Sequence, residues 1–291
     1  MKTLFPSKTK DTTLIRMLRR PKGFIGLTLV LSLALASLLA PFIAPHDPLK
    51  QNLRWRNSPP GSGPTPDGKY FLLGTDQLGR DMLTRILYGV RVSIVVALAA
   101  VFISGIVGSV LGIVSGFLGG IVDTVIMRLV DIQLSLPLFL IAMVWIAFTS
   151  PSLANIVAVI AIWTWTQYAR VARASTLSIR NMDFVEAARA TGASALWILF
   201  KHIRPNVIAP VIVIASLQFG RAIILEATLS FLGVGLQPPT PALGVMVANG
   251  RQYIDTAWWQ ATMPGVVIML LALGANFLGD TLRDVWDPRL H

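Results

Sequence analysis

The sequence predicts an all-α polytopic membrane protein, and three observations carry this prediction. The chain has 291 residues, of which 54% are apolar and only 13% are charged, whereas about 25% of residues are charged in an average soluble domain. Its mean hydropathy is +0.66. Several uncharged runs are long enough for a transmembrane helix, which needs about 20 mostly apolar residues. This composition excludes a single soluble globular domain.

The first predicted span covers residues 23–44 and follows a basic cytoplasmic tail, residues 1–22. The tail carries seven Lys or Arg residues and one acidic residue, Asp11. A cleavable signal peptide is the alternative, with the Ala-Leu-Ala sequence at 34–36 as its cleavage site. Because a signal peptide has an apolar core of about 7–15 residues and this run is longer, we expect a retained anchor.

Residues 45–91 are polar and rich in proline and glycine, which predicts an extracytoplasmic loop. The sequence from Gly63 to Tyr70 nearly matches the phosphate-binding pattern GxxxxGK[ST]. We reject that interpretation because Tyr70 replaces the small hydroxyl residue that reaches magnesium, and two prolines remove N–H donors from the loop. The segment is too short to form a domain of its own.

The end of this loop is predicted to form an interfacial amphipathic helix at residues 80–91. Met82 and Ile86 belong to its apolar stripe, and its charged side chains are expected to face away from that stripe. Asp81 and Arg85 stand at i, i+4 in the order that favours an ion pair. We expect this helix to lie outside the membrane and to lead into the second span.

The second span is predicted at residues 92–116. Small residues recur at every fourth position along it and just beyond, at Ala100, Ser104, Gly108, Gly112, Gly116 and Gly120. Such a stripe lets two membrane helices approach closely. We therefore predict a helix-packing face here, with a pore lining as the alternative.

The third and fourth spans are predicted at residues 124–148 and 153–169. Arg128 and Asp131 are three residues apart on one helix face and are expected to neutralise each other, because a lone charge in the bilayer costs several kcal/mol. Pro137 predicts a kink in the third span.

Residues 170–206 are charged again, and spans at 207–233 and 260–280 precede a tail at 283–291. Residues 92–282 are thus predicted to form a five-helix core, giving six spans with the first. Cytoplasmic segments then carry 15 Lys or Arg residues and external segments carry 8, which predicts that both termini are cytoplasmic. The same bias explains the net charge of +11 without a nucleic-acid partner.

The residues that metal sites and most catalytic sites require are scarce. There is no cysteine and there are three histidines, far apart in the sequence, so we predict no metal site. Neither paired carboxylates nor a Ser/His/Asp set nor an ATP-binding motif is recognisable, so we predict that the chain is not an enzyme. Transport, signalling and scaffolding remain as function classes.

The most informative cytoplasmic segment is residues 183–194. The aspartate that opens it can cap a helix, with Glu186 at the third position in a capping-box arrangement. Gly192 can take the left-handed conformation that ends a helix, and Ser194 can cap a second helix that ends before Pro205. The segment is predicted to form a helix-turn-helix whose alanine-rich face packs against another protein.

This segment resembles the EAA loop of ABC-importer permeases. The resemblance rests on Glu186-Ala187-Ala188, on Gly192 after three further residues, and on Ile203-Arg204-Pro205. In that family the loop forms a coupling helix that docks on an ATPase subunit. The resemblance therefore implies a set of ATPase-coupling residues, namely Glu186, Ala187, Ala188, Arg189 and Gly192.

Four further motifs resemble the C-type permease of dipeptide, oligopeptide and nickel importers. They are LGTDQLGRDMLTR at 73–85, GVRVS at 89–93, FLGVG at 231–235 and LRDVWDPR at 282–289. The resemblance implies the type I ABC importer permease fold and a prokaryotic plasma (inner) membrane. It also implies a homologous second permease in a heterodimer, two ABC ATPase subunits that hold ATP and Mg, and an extracytoplasmic substrate-binding protein. Membrane lipid is the remaining expected partner, and this chain itself is expected to bind no cofactor.

Two sets of charged residues complete the candidate sites. Ionisable residues within a membrane usually face a bundle interior, a cavity or a partner charge, so the translocation pathway is predicted to involve Arg221, Glu226, Arg128 and Asp131. A structural contact with a neighbouring helix or subunit is the alternative. Contact with the binding protein is predicted for Asp76, Arg80, Asp81 and Arg85, with a plain membrane-surface anchor as the alternative.

These observations predict a permease subunit that forms half of the pathway for di- or oligopeptides, with ATP hydrolysis on separate subunits. A nickel, metal-chelate or sugar importer of the same family is the alternative substrate class. An ion-driven secondary transporter is a rival, but it leaves the cytoplasmic helix-turn-helix unexplained. A membrane scaffold is a second rival, but it leaves the intramembrane charges unexplained.

Overall fold

The computed structural model describes residues 20–286, and every regular element in that range is helical apart from two isolated β-bridges. Most of the predicted N-terminal tail and the last five residues of the predicted C-terminal tail lie outside the described residues. Helices α1 (Pro21–Leu38) and α2 (Ala40–Ile43) occupy the first predicted span. The loop that follows holds a single turn of 3-10 helix at Leu53–Trp55.

Helix α3 (Met82–Leu118) is continuous over 37 residues. Asp81 caps it by accepting a hydrogen bond from the Thr84 N–H at 2.8 Å, and the helix ends at Gly119, whose φ is +68°. The prediction of a separate interfacial helix at 80–91 is wrong. No proline or glycine pair interrupts the sequence there, so the helix runs on into the second span.

Helix α6 (Leu153–Ile179) packs along the small-residue stripe of α3. A Cβ atom at Gly112 would overlap the carbonyl oxygen of Ala169 and would lie 2.8 Å from the Ala172 Cβ. At Gly116 a Cβ atom would lie 2.9 Å from a backbone oxygen of α6. The predicted packing face is therefore confirmed, since the two backbones come too close for any side chain.

The third predicted span is broken into α4 (Gly120–Ser135) and α5 (Leu138–Phe148), which meet at an angle of 92°. The kink predicted at Pro137 is confirmed, because Pro137 is the residue before α5. The side-chain amide of Gln133 donates to the Ile162 carbonyl oxygen and accepts from the Trp165 indole N–H at 2.7 Å. These bonds hold α4 against α6.

The predicted cytoplasmic helix-turn-helix is formed by α7 (Asp183–Ala190) and α8 (Ala195–Ile198). A π-type segment, Leu199–Ile203, joins α8 to α9 (Arg204–Phe231). The second helix, α8, ends before Pro205 as predicted, but the chain stays helical through the π-type segment and into α9. A proline in the first turn of a helix sacrifices no intrahelical hydrogen bond, and Pro205 occupies that place in α9.

Helices α10 (Leu243–Gly250) and α11 (Trp259–Trp286) complete the described chain. Helix α11 includes the last predicted span, and α1 packs on it. A Cβ atom at Gly26 of α1 would lie 2.8 Å from the carbonyl oxygen of Gly274. The first and last predicted spans are therefore neighbours.

Within residues 20–286, four helical segments are long and apolar enough to cross a membrane, and the bent pair of α4 and α5 makes a fifth if it is one span. The four are Pro21–Leu38, Met82–Leu118, Ala195–Phe231 and Trp259–Val285. Helix α6 is not among them because tryptophan, threonine, glutamine and arginine occupy its second half. The predicted count of six spans is not confirmed.

Three clusters of buried apolar side chains follow one another along the bundle. The central cluster includes Val96, Ile160, Ile223 and Leu271. A second cluster, at the end next to the 44–81 loop, includes Met82, Leu243 and Trp259. The third cluster joins the helix-turn-helix to the ends of α6 and α9, and includes Ala172, Val185, Ile198 and Val207.

Candidate functional site

Helix α7 carries most of the predicted coupling residues and has two different faces. Val185 and Ala188 are buried and pack in the cluster that includes Ala172 of α6 and Val207 of α9. Among the predicted coupling residues on this helix, Glu186, Ala187 and Arg189 are exposed. One face of α7 is thus fixed to the bundle, and the other is open to a partner. Ala188 belongs to the bundle face and is not exposed for direct contact with a partner.

The turn after α7 has the geometry predicted from the sequence. Gly192 has a φ of +84°, a conformation that L residues with a side chain rarely adopt. The Ala193 N–H donates to the Ala188 carbonyl oxygen at 3.0 Å. Ser194 caps α8 by accepting a hydrogen bond from the Trp197 N–H at 3.3 Å. The predictions for Gly192 and Ser194 are confirmed as local structure.

The capping box predicted at the start of α7 does not form. Met182 is the N-cap residue, and Asp183 is already the first helical residue. The helix begins at Asp183 because the Met182 carbonyl oxygen accepts hydrogen bonds from the N–H groups of Val185 and Glu186. Asp183 and Glu186 still lie in the first turn, where acidic side chains interact favourably with the helix dipole.

An aromatic cluster beside α7 was not predicted from the sequence. The ring of His202 lies 5.5 Å from the ring of Phe184 and 5.0 Å from the ring of Trp197. Phe184 and Trp197 are both more than two-fifths exposed. The sequence signal for this cluster is four aromatic rings within the 19 positions 184–202, three of which come together. These rings extend the exposed face of α7 with apolar surface.

The four residues predicted to contact a binding protein are buried in the 44–81 loop and at the start of α3. The Arg80 Nε donates to the Asp76 Oδ2 at 2.6 Å, and an Arg85 N–H donates to the Pro48 carbonyl oxygen at 3.0 Å. The predicted ion pair of Asp81 with Arg85 does not form, since the Arg85 Nε lies 3.6 Å from Asp76 instead. The expectation of an exposed charged face is wrong because the loop folds over it.

His46 adds a second contact to Asp81 in this loop. Its ring stacks on that of Phe71 at a centroid distance of 4.7 Å, and its Nδ1 lies 3.9 Å from the Asp81 Oδ2. Burial lowers the pKa of His46 against the pull of the Asp81 charge, and burial raises the pKa of Asp81 against its hydrogen bonds from Thr84. Burial is the largest cause of both shifts, because it penalises the charged form of each group.

Asp131 forms an ion pair with Arg170 of α6 at 2.9 Å. The predicted pair of Arg128 with Asp131 is therefore wrong, and Arg128 is exposed. A second ion pair joins Asp123 at the start of α4 to Arg173 of α6 at 2.5 Å. Both aspartates of α4 pair with arginines of α6 because the two helices lie side by side. Residue spacing along α4 alone does not show this.

Glu226 of α9 is fully buried and connects two helices. Its carboxylate accepts hydrogen bonds from the Ser93 hydroxyl of α3 at 2.6 Å and from the Ser230 hydroxyl at 2.9 Å. Arg221, five residues earlier, is exposed. The structure does not bring the four predicted pathway residues into one cluster. Glu226 holds α3 and α9 together, whereas Arg221 and Arg128 point out of this chain.

Two families match the sequence. The family described as the binding-protein-dependent transport system inner membrane component matches residues 108–291, and the N-terminal TM domain of oligopeptide transport permease C matches residues 10–60. The second match covers the basic tail, the first span and the start of the loop.

Curated relatives match over nearly the whole chain. The dipeptide transport system permease protein of Haemophilus influenzae is 43% identical over 272 residues, which cover 92% of this chain and 90% of that protein. The di/tripeptide transport system permease protein of Pseudomonas aeruginosa is 42% identical over 92% of this chain and 89% of that protein. The dipeptide transport system permease protein of Escherichia coli K12 is 42% identical over 94% of this chain and 91% of that protein.

The fold is similar to that of a solved transporter. The matched chain, from an inward-facing conformation of the MetNI methionine ABC transporter, has a TM-score of 0.58 and 21% sequence identity. The match covers 70% of this chain and 97% of the other. The predicted ABC importer permease fold and the multi-pass inner-membrane location are confirmed by these likenesses. The chain belongs to the family of binding-protein-dependent transport system inner membrane components.

Proposed function

We propose that the chain is the permease subunit of an ATP-driven importer and forms half of a pathway for di- or oligopeptides. The structural observation that carries the proposal is α7, a short helix with one face packed on the bundle and the other exposed. The names of the three curated relatives, all of them dipeptide or di/tripeptide permeases, support peptide as the substrate class over nickel, metal chelates or sugars.

The complete importer contains a homologous second permease, two ABC ATPase subunits and an extracytoplasmic substrate-binding protein. ATP and Mg bind to the ATPase subunits, and this chain does no chemistry of its own. The exposed Glu186, Ala187 and Arg189 dock on an ATPase subunit, and the aromatic cluster of Phe184, Trp197 and His202 widens the docking surface. The binding protein docks on the 44–81 loop, whose shape is held by Asp76, Arg80, Asp81 and Arg85.

Coupling follows from the two faces of α7. When ATP binding closes the ATPase pair, the docked face of α7 moves with it. The buried face transmits the motion because Val185 and Ala188 pack against α6 and α9, and close-packed side chains deform little. The permease halves then rotate as rigid bodies between inward-facing and outward-facing states. Arg221 and Arg128 face the second permease or the pathway between the halves.

Uptake of labelled peptides tests this function. Deletion of the gene is expected to lower dipeptide uptake by about tenfold or more, and uptake of nickel or sugar is expected to stay unchanged. A plasmid copy restores dipeptide uptake. Collapse of the ion gradients with ATP maintained leaves uptake intact, because the energy comes from ATP. Transport by the purified chain alone in vesicles would contradict the proposal and favour an ion-driven transporter.

A further inference from the structure

A groove of about 1110 Å³ runs between α3 and α9 on the outside of the bundle. Its walls are almost entirely apolar, and several wall side chains are at least two-fifths exposed, among them Phe102, Ile106 and Val110 of α3 and Ile208 of α9. The lining residues run from 98 to 114 on α3 and from 199 to 215 on the π-type segment and α9, and Tyr168 of α6 also lines the groove. The 17 residues of α3 span about 24 Å at the α-helical rise of about 1.5 Å per residue.

The two helices run antiparallel. Ser93 bonds to Glu226 near one end, and Ile113 packs with Ile203 and Val207 near the other. The groove therefore has one end close to the helix-turn-helix of α7 and α8. In the orientation proposed above, that end lies at the cytoplasmic surface of the membrane.

This end of the groove is positively charged. Arg204 lies on the groove wall, and it is the only charged side chain among the described residues that line the groove. It is exposed and has no salt bridge to any residue from 20 to 286. Lys201, three residues earlier, is also exposed. The end of the groove next to Arg204 therefore favours an anion, while the rest of the groove is apolar.

Two hydroxyl groups lie further into the groove. Ser109 is one helical turn in from Ile113, and the ring of Tyr168 lies against Gly105, one turn further again. The side-chain oxygen of Ser109 is buried and has no hydrogen-bond partner among the described residues, whereas the Tyr168 hydroxyl lies within hydrogen-bond reach of Ser104. Buried polar groups without a partner are uncommon in native proteins, so the Ser109 hydroxyl is expected to donate to a ligand.

We propose that this groove is a binding site for an anionic phospholipid. Along a phospholipid, an anionic phosphate is followed by ester carbonyls and then by hydrocarbon chains. The groove presents the matching order: the guanidinium of Arg204, the hydroxyl of Ser109, and the apolar walls of α3 and α9. An apolar helix of a partner subunit would contact the apolar walls but would leave Arg204 and the Ser109 hydroxyl without an acceptor.

Lipid retention by the purified full transporter tests the site. The transporter is reconstituted in vesicles of equal amounts of phosphatidylglycerol and phosphatidylcholine, extracted in mild detergent, and weighed by native mass spectrometry. Arg204→Gln is expected to lower bound phosphatidylglycerol about fivefold, the factor for about 1 kcal/mol per cation near an anionic lipid surface. The matched control is Lys22→Gln, an exposed cation at the same membrane side but outside the groove, which retains the wild-type amount.

A second variant fills the groove without disturbing the fold. A Cβ atom at Gly105 would lie 3.5 Å from the Tyr168 ring, an ordinary contact, so Gly105→Leu is expected to displace both phospholipids. Gly265→Leu in α11, where a Cβ atom meets nothing within 4 Å, is its control. Wild-type phosphatidylglycerol retention by both Arg204→Gln and Gly105→Leu would overturn the proposal. A photo-crosslinker at Phe102 that labels the second permease instead of lipid would also overturn it.

Discussion

Gly112→Leu is expected to prevent the stable packing of α3 on α6. A side chain at this position would overlap the carbonyl oxygen of Ala169, and a backbone atom, unlike the end of a flexible side chain, cannot move aside cheaply. Overpacking of this kind costs about 3 kcal/mol or more. We expect the Tm of the detergent-solubilised protein to fall by about 6 °C or more and the monodisperse fraction in size-exclusion chromatography to collapse.

The matched control is Gly265→Leu, which adds the same side chain inside a helix where the space is open. It is expected to leave the Tm within about 2 °C of the wild type, because a tolerated surface change is worth about 0.5 kcal/mol. An unchanged Tm for Gly112→Leu would mean that α3 and α6 do not approach as closely as the structure has them.

Gly192→Trp is expected to impair transport strongly while the protein still inserts in the membrane. The φ of +84° at Gly192 costs a residue with a side chain about 1–2 kcal/mol, so the turn changes shape and α7 leaves its docking position. Transport is expected to fall by about tenfold or more, since about 1.4 kcal/mol corresponds to a factor of ten. The protein level is unchanged because Gly192 is exposed and a side chain there meets nothing within 4 Å.

Gly192→Asn tests whether the defect of Gly192→Trp comes from backbone strain or from the added side chain. Asparagine adopts the left-handed conformation more readily than other side chains, so this variant is expected to keep most of the transport activity. Transport rate and ATPase rate are measured on the same reconstituted transporter. Normal transport by Gly192→Trp would refute the assignment of this turn to coupling.

Features that depend on local sequence were predictable. The stripe of small residues on α3, the break at Pro137, the positive φ of Gly192 and the cap at Ser194 each follow from residue type and spacing within a few turns. The predicted division of residues 80–91 into an apolar and a charged face is wrong, since Arg85 is buried as fully as Met82.

Features that depend on distant residues were not predictable. Arg85 is buried because its guanidinium reaches the Pro48 carbonyl oxygen, 37 residues earlier. Asp131 forms its ion pair with Arg170, 39 residues later, instead of with Arg128 on α4. Helical spacing predicts which side chains of one helix lie next to each other. It does not predict which side chains meet when two helices pack together. For the same reason, the hydrogen bond between Glu226 and Ser93 of α3 could not be predicted from the sequence.

The docking of α7 on an ATPase subunit is the central claim, and a single-cysteine crosslink tests it most directly. The chain has no natural cysteine, so Ala187→Cys introduces one thiol on the exposed face of α7, and Thr256→Cys introduces one at an exposed position between α10 and α11. Both variants are treated with a short thiol-to-amine crosslinker in native membranes, and the adducts are purified and identified.

We expect Ala187→Cys to form an adduct with a subunit that hydrolyses ATP and Thr256→Cys to form none with it. A second permease is expected to purify with both variants. Absence of any adduct at Ala187→Cys, with the chain recovered alone from crosslinked membranes, would contradict the assignment of α7 as a coupling helix and favour a self-sufficient, ion-driven transporter.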